Sequence, residues 1–142
     1  MTTTTAQDRV EFYNDLLITA IENGGYGQFW TREYDPFEDS PYAVIEFTDA
    51  EGTLHRVTPA TMAHGLGVIT SAERRVDENH PDDGPVLHNA ATGQRLYMGS
   101  HQRERIILAA DPDNDEYEAG DLDVIDALAI LECALLGAVT YA

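Results

Sequence analysis

Near the start of the chain, apolar residues return at helical spacings. Val10, Tyr13, Leu17, Ala20 and Ile21 share one face, and Phe12 and Leu16 widen it. Thr4 or Thr5 supplies an N-cap, with Gln7 or Asp8 three residues on. Asn23-Gly24-Gly25 ends the helix, because glycine takes the left-handed cap conformation without a Cβ clash. The pattern then changes. Tyr26 to Tyr34 is rich in aromatics, which suit a pleated, half-buried strand. A turn runs from Asp35-Pro36 to Ser40-Pro41. Tyr42 to Thr48 is a second strand, with Ala43, Ile45 and Phe47 on one face and Val44 on the other. Asp49-Ala50-Glu51-Gly52 is a hairpin connection, and Thr53 to Val57 returns as a third strand.

Thr58-Pro59 opens a second helix with a threonine cap and a proline at its first position. Met62, Leu66 and Ile69 form its apolar face, while Gly65 and Gly67 weaken it and leave its length open. Val76 to Gly99 has no clear period. Asp77 to Pro85 is read as an exposed loop, and Val86–His88 with Arg95–Met98 as a short hairpin around 89–93. Gly99 or Ser100 caps a third helix over His101 to Ala110, which Asp111-Pro112 stops. An acidic connector leads to Gly120. Asp121 is the expected cap of a fourth helix reaching Leu136, with Gly137 as its end. Its apolar positions (Leu122, Ile125, Leu128, Ala129, Leu131, Leu135 and Leu136) cover most of its circumference, as in a helix buried on all sides. Ala138 to Tyr141 reads as a last strand. The sum is a single α+β domain over 1–142: a small, mostly antiparallel sheet with about four helices packed on one face.

Charge alters this picture more than composition does. The 142 residues carry 8 arginines, no lysine and 26 acids, for a net charge of −18. A chain this acidic does not suit direct contact with nucleic acid or an anionic membrane. The start has no positive or apolar leader, and the longest apolar run, Ala127 to Ala138, is interrupted by Glu132, so a cytoplasmic location is expected. One cysteine excludes an internal disulfide framework.

The acids are clustered. Asp111, Asp113, Asp115, Glu116, Glu118, Asp121, Asp123 and Asp126 place eight carboxylates in sixteen residues. The alternation at 111, 113 and 115 invites a calcium-loop reading, but the sixth position is Glu116 where glycine belongs, and the twelfth is Leu122 where a bidentate glutamate belongs. A second cluster holds Glu33, Asp35, Glu38, Asp39, Glu46, Asp49 and Glu51. A third holds Asp77, Glu78, Asp82 and Asp83. Carboxylates from separate segments can converge into a strip that imitates the phosphate backbone. Solvated loops and salt adaptation are the competing readings of the same acids. Arginine without lysine also fits plain codon bias.

Catalytic and cofactor signals are absent. No histidine pair stands at i, i+4, and there is no phosphate loop or nucleophile elbow. Cys133 lies in the most apolar helix, where a thiol behaves as a small hydrophobe. No metal or cofactor is expected. Six aromatics lie between Tyr26 and Tyr42, and the set that includes Trp30 and Tyr34 is either sheet core or the apolar centre of an interface.

Two segments, Leu16–Trp30 and Leu131–Tyr141, resemble the opening and close of small acidic proteins carried by actinobacterial phages and plasmids. The resemblance implies a mobile-element accessory protein and names no catalytic residue. The expectation is a non-enzymatic binding protein whose partner is a protein, in the sharpest form a nucleic-acid-binding host or defence protein inhibited by DNA mimicry. Its partner-binding residues would be Asp111, Asp113, Asp115, Glu116, Glu118, Glu33, Asp35, Glu38, Asp39, Trp30 and Tyr34. The alternative is an accessory structural or regulatory domain. There the acidity serves solubility, and the aromatic strand is a protein interface, with a homodimer as one form.

Overall fold

A helix that is apolar on nearly every side needs neighbours on every side. In the computed structural model α4 (Val124–Leu136) has them: every residue from Asp126 to Cys133 is buried. The structure describes residues 6–22, 30–36, 41–47, 52–111 and 122–138, with side chains in the first helix from Phe12 onward. The expected hairpin tip at 49–51, the acidic connector 112–120 and the last strand beyond Ala138 lie outside these residues.

Asp123, not Asp121, caps α4. Its carboxylate accepts the Asp126 N–H at 2.9 Å, and the Asp126 carboxylate accepts the Asp123 N–H at 3.3 Å. This reciprocal box needs an acceptor three residues into the helix. Asp121 has Val124 at that position and cannot form it.

Around α4 stand α1 (Ala6–Glu22) and α2 (Pro59–Thr70), and α3 (Ser100–Ala110) packs on α2. Leu16, Leu17, Ala20 and Ile21 of α1 and Met62, Leu66 and Ile69 of α2 are buried. Gly65 is where α2 crosses α4. A Cβ there would lie 2.1 Å from the Ile130 carbonyl oxygen, so only glycine admits this approach. The residue that lowers helix propensity in the sequence is the one that lets the two backbones meet. The Thr58 N–H donates to the Thr61 hydroxyl at 3.0 Å where α2 begins. The Arg103 guanidinium donates to the Ile69 carbonyl at 3.2 Å where it ends.

The expected three strands form one antiparallel sheet in the order β1 (Thr31–Asp35), β2 (Tyr42–Ile45), β3 (His55–Val57). Ala43, Ile45 and Val57 lie on its buried side, with Phe47 just beyond. Of the expected strand 26–34, residues 26–29 lie outside the described residues, Trp30 is helical, and β1 begins at Thr31, with its register shifting between Thr31 and Glu33.

A second antiparallel pair, β4 (Glu73–Val76) and β5 (Pro85–His88), was not expected. All four residues of β4 are exposed, so Glu-Arg-Arg-Val carries no alternation to read. The expected loop 77–85 therefore becomes the connection of a ribbon, with a 3₁₀ turn at Pro81–Asp83. The expected hairpin with 95–98 is reduced to one bridge, His88 to Arg95. That turn docks on the end of α4: Asn89 Nδ2 donates to Gly137 O at 2.8 Å and Gln94 Nε2 to Leu136 O at 3.3 Å. The class is α+β with two small sheets in place of one.

Candidate functional site

The exposed end of α3 holds Asp111, whose N–H closes the helix onto Ile107 O at 3.0 Å. Asp113, Asp115, Glu116 and Glu118 follow it in the chain and lie outside the described residues, as do Glu38 and Asp39. Glu33, Tyr34 and Asp35 share β1. Among the described residues β1 packs mainly on β2.

The aromatic strand is largely satisfied from within. Trp30, a candidate for either sheet core or an interface, is 7% exposed and meets the Phe47 ring edge-on at 4.7 Å. Trp30 and Phe47 pack together in the core of this chain, which is the sheet-core reading of the aromatic set. The Tyr34 hydroxyl donates to the Glu22 carboxylate at 2.6 Å. Burial and that carboxylate push its phenol well above the ordinary tyrosine range. Ile21, Glu22, Thr31 and Tyr34 line a shallow hollow of about 410 Å³. On the outer sheet face, the Tyr42 hydroxyl donates to Glu33 at 2.6 Å, and the Arg56 guanidinium lies 4.1 Å over the Tyr42 ring. Glu33 is thus not a bare carboxylate.

The arginines show the same inward use. Arg32 Nε donates to Glu46 at 3.1 Å, and the Gly52 N–H donates to the other oxygen of Glu46 at 2.7 Å. The Gly52 bond, then Arg32, lowers the Glu46 pKa. Arg95 Nη1 donates to Asp77 and Asp83, each at 2.9 Å, and clamps the β4–β5 connection. That hydrogen bond and the Asn79 N–H hold the Asp77 carboxyl below its usual range. Arg105 grips Asp126 through Nε (2.9 Å) and Nη2 (2.7 Å), and Gln102 adds a bond of 3.0 Å. Asp126, one of the eight clustered acids, is therefore a buried tie between α3 and α4.

Comparison with family models, curated proteins and solved structures gives no match. Among the described residues, no group of three or more histidine, cysteine, aspartate or glutamate side chains is placed to hold a metal. Burial, then Glu132, pushes the Cys133 thiol up to about 12, so it stays protonated. No helix among them is long and apolar enough to cross a membrane. What faces outward is carboxylate: Asp15, Glu78, Asp82 and Glu104 are exposed and make no hydrogen bond or ion pair there. Sequence reasoning missed the arginine ties. Gln102 and Arg105, three apart on α3, were the signal that a polar edge of that helix meets something.

Proposed function

We propose that this chain is a binding protein of a mobile genetic element that presents carboxylates to a basic, nucleic-acid-binding protein in the cytoplasm and inhibits it by occupying its groove. One observation carries the reading. Of the seven arginines with described side chains, six hold a carboxylate, a carbonyl or a ring of the same chain, and only Arg74 holds none. These arginines are engaged within their own chain, the sequence carries 26 acids against 8 arginines, and among the described residues Asp15, Glu78, Asp82 and Glu104 remain exposed carboxylates. Arginines engaged at home leave the exposed carboxylates unneutralised, as a polyanion surrogate requires. The segments Leu16–Trp30 and Leu131–Tyr141 support the mobile-element origin by resemblance.

The test is capture from a host lysate followed by competition. The expected partner binds nucleic acid, is displaced by duplex DNA, and loses affinity as salt rises, because screening acts beyond a Debye length of about 8 Å at physiological strength. Changing Asp113, Asp115, Glu116 and Glu118 to Asn and Gln should slow association while the fold survives. A partner that DNA fails to displace, or that binds equally well at high salt, refutes the mimicry.

A further inference from the structure

β4 is an open edge. It pairs with β5 on one side, and among the described residues no strand pairs with the other. Which of its amides face outward follows from the third segment of the ribbon. The Leu96 N–H donates to Leu87 O at 2.9 Å, so the Leu87 backbone turns away from β4. Neighbouring strand residues alternate, so Val86 and His88 face β4 and share the ladder with Arg75 and Glu73. The N–H and C=O groups of Arg74 and Val76 therefore point to the open side. All four β4 residues are exposed, Val76 at 52%.

An added strand must match the charges on this edge. Short charged edges exclude most strands, which is how edge pairing is normally suppressed. This edge reads Ala72-Glu73-Arg74-Arg75-Val76. The segment is complementary to itself when reversed about Arg74. Glu73 then stands opposite Arg75 of a second copy, Arg75 opposite Glu73, and Val76 opposite Ala72. Only registers that set even-numbered residues against even-numbered ones satisfy the outward amides. Moving the centre to Arg75 or to Glu73 sets like charges opposite each other without the two cross-strand pairs. In the isolated chain, Arg75 Nε already donates to Glu73 at 3.1 Å on this face, so a second copy closes the two pairs into a ring of four charges. The one like-charge contact, Arg74 against Arg74, lies between two acidic bodies whose field favours it.

We infer that β4 is a self-association edge, on which a second copy of this chain adds its own β4 antiparallel about a two-fold axis centred on Arg74. This gives a four-strand sheet β5-β4-β4-β5, and its isologous contact closes at two copies. It is independent of the proposed partner and replaces the aromatic strand as the surface for a homodimer.

Sedimentation equilibrium of the full chain, to about 1 mM, tests it. Repulsion between two bodies of −18 opposes pairing at low salt. Association should therefore strengthen toward 1 M salt, where the Debye length is about 3 Å and only the close pairs survive. Glu73→Arg and Arg75→Glu should each weaken it roughly ten-fold by setting like charges opposite, and the double exchange should restore it. Arg74→Pro should abolish it while leaving the monomer intact, because Arg74 gives no ladder bond to β5. The inference is overturned by a monomer at every salt concentration, by a dimer that Arg74→Pro leaves unchanged, or by a double exchange that fails to restore pairing. An acidic peptide as the true occupant would show as binding that weakens with salt and that the double exchange does not rescue.

Discussion

Where α2 crosses α4, Gly65 brings two backbones into contact, and Met62, Leu66, Ile69, Leu128 and Leu131 fill the space around them with almost no exposure. In the ribbon of β4 and β5, eight residues make two strands of which only Leu87 and His88 are buried. There, Arg95 bonded to Asp77 and Asp83 holds the connection. The first region is organised by removal of apolar area from water and the second by charge. Contacts of the first kind are not screened by salt, and contacts of the second kind weaken with screening and with titration. The molecule should therefore have a firm helical centre and a ribbon that opens at lower free energy.

Leu128→Ala strikes the centre and should lower stability by about 2–5 kcal/mol, the range for a large-to-small change in a packed core. Chemical denaturation measures it, and a loss below about half a kcal/mol would place α4 outside the core. Arg105→Ala tests a place where charge enters the centre. It leaves Asp126 buried beside Gln102 and the Asp123 N–H, and the loss should be toward the low end of the roughly 3–5 kcal/mol seen when a buried pair is broken.

The pH dependence of that pair has a definite sign. Burial raises the Asp126 pKa, but Arg105, Gln102 and the Asp123 N–H outweigh it, and the folded value lies below the unfolded one. The unfolded chain then binds the proton more readily. The contribution of Asp126 is complete above the unfolded value of about 3.9 and is lost as pH falls through the lower folded value. The difference in stability between wild type and Arg105→Ala should shrink on acidification, as paired denaturation curves would show.

Arg95→Ala should have the smallest global effect. Amide exchange at Asn79 and His80 should accelerate, because the Asp77 carboxylate that accepts the Asn79 N–H loses its anchor. Amides of α4 should be unaffected. Equal acceleration in both regions would show that ribbon and centre open together and would remove the contrast.

Much of this fold is visible in the chain. The helices at 59–70 and 100–110, the αL end at Gly137 and the Ala43–Ile45–Phe47 face follow from capping residues and periodicity, which act within a few residues. β4 is not visible, because a strand with no buried residue has no period. Nor is the choice of Asp123 over Asp121, which turns on Asp126 being available three residues on.

The candidate surface divides the same way. The amino-acid sequence by itself determined the excess of acids, their clustering and the scarcity of positive charge, because charge is additive along a chain. Only the tertiary structure decided which carboxylates are free. Asp126 is buried under Arg105, Glu33 accepts Tyr42, and Asp77 and Asp83 hold Arg95. Those pairs join residues 9 to 21 positions apart, and no local pattern records them. The same is true of Gly65, whose fitness depends on the carbonyl of Ile130 in another helix. Local propensity acts through neighbours in sequence, whereas ion pairs and backbone crossings act through neighbours in space, which exist only once the chain has folded.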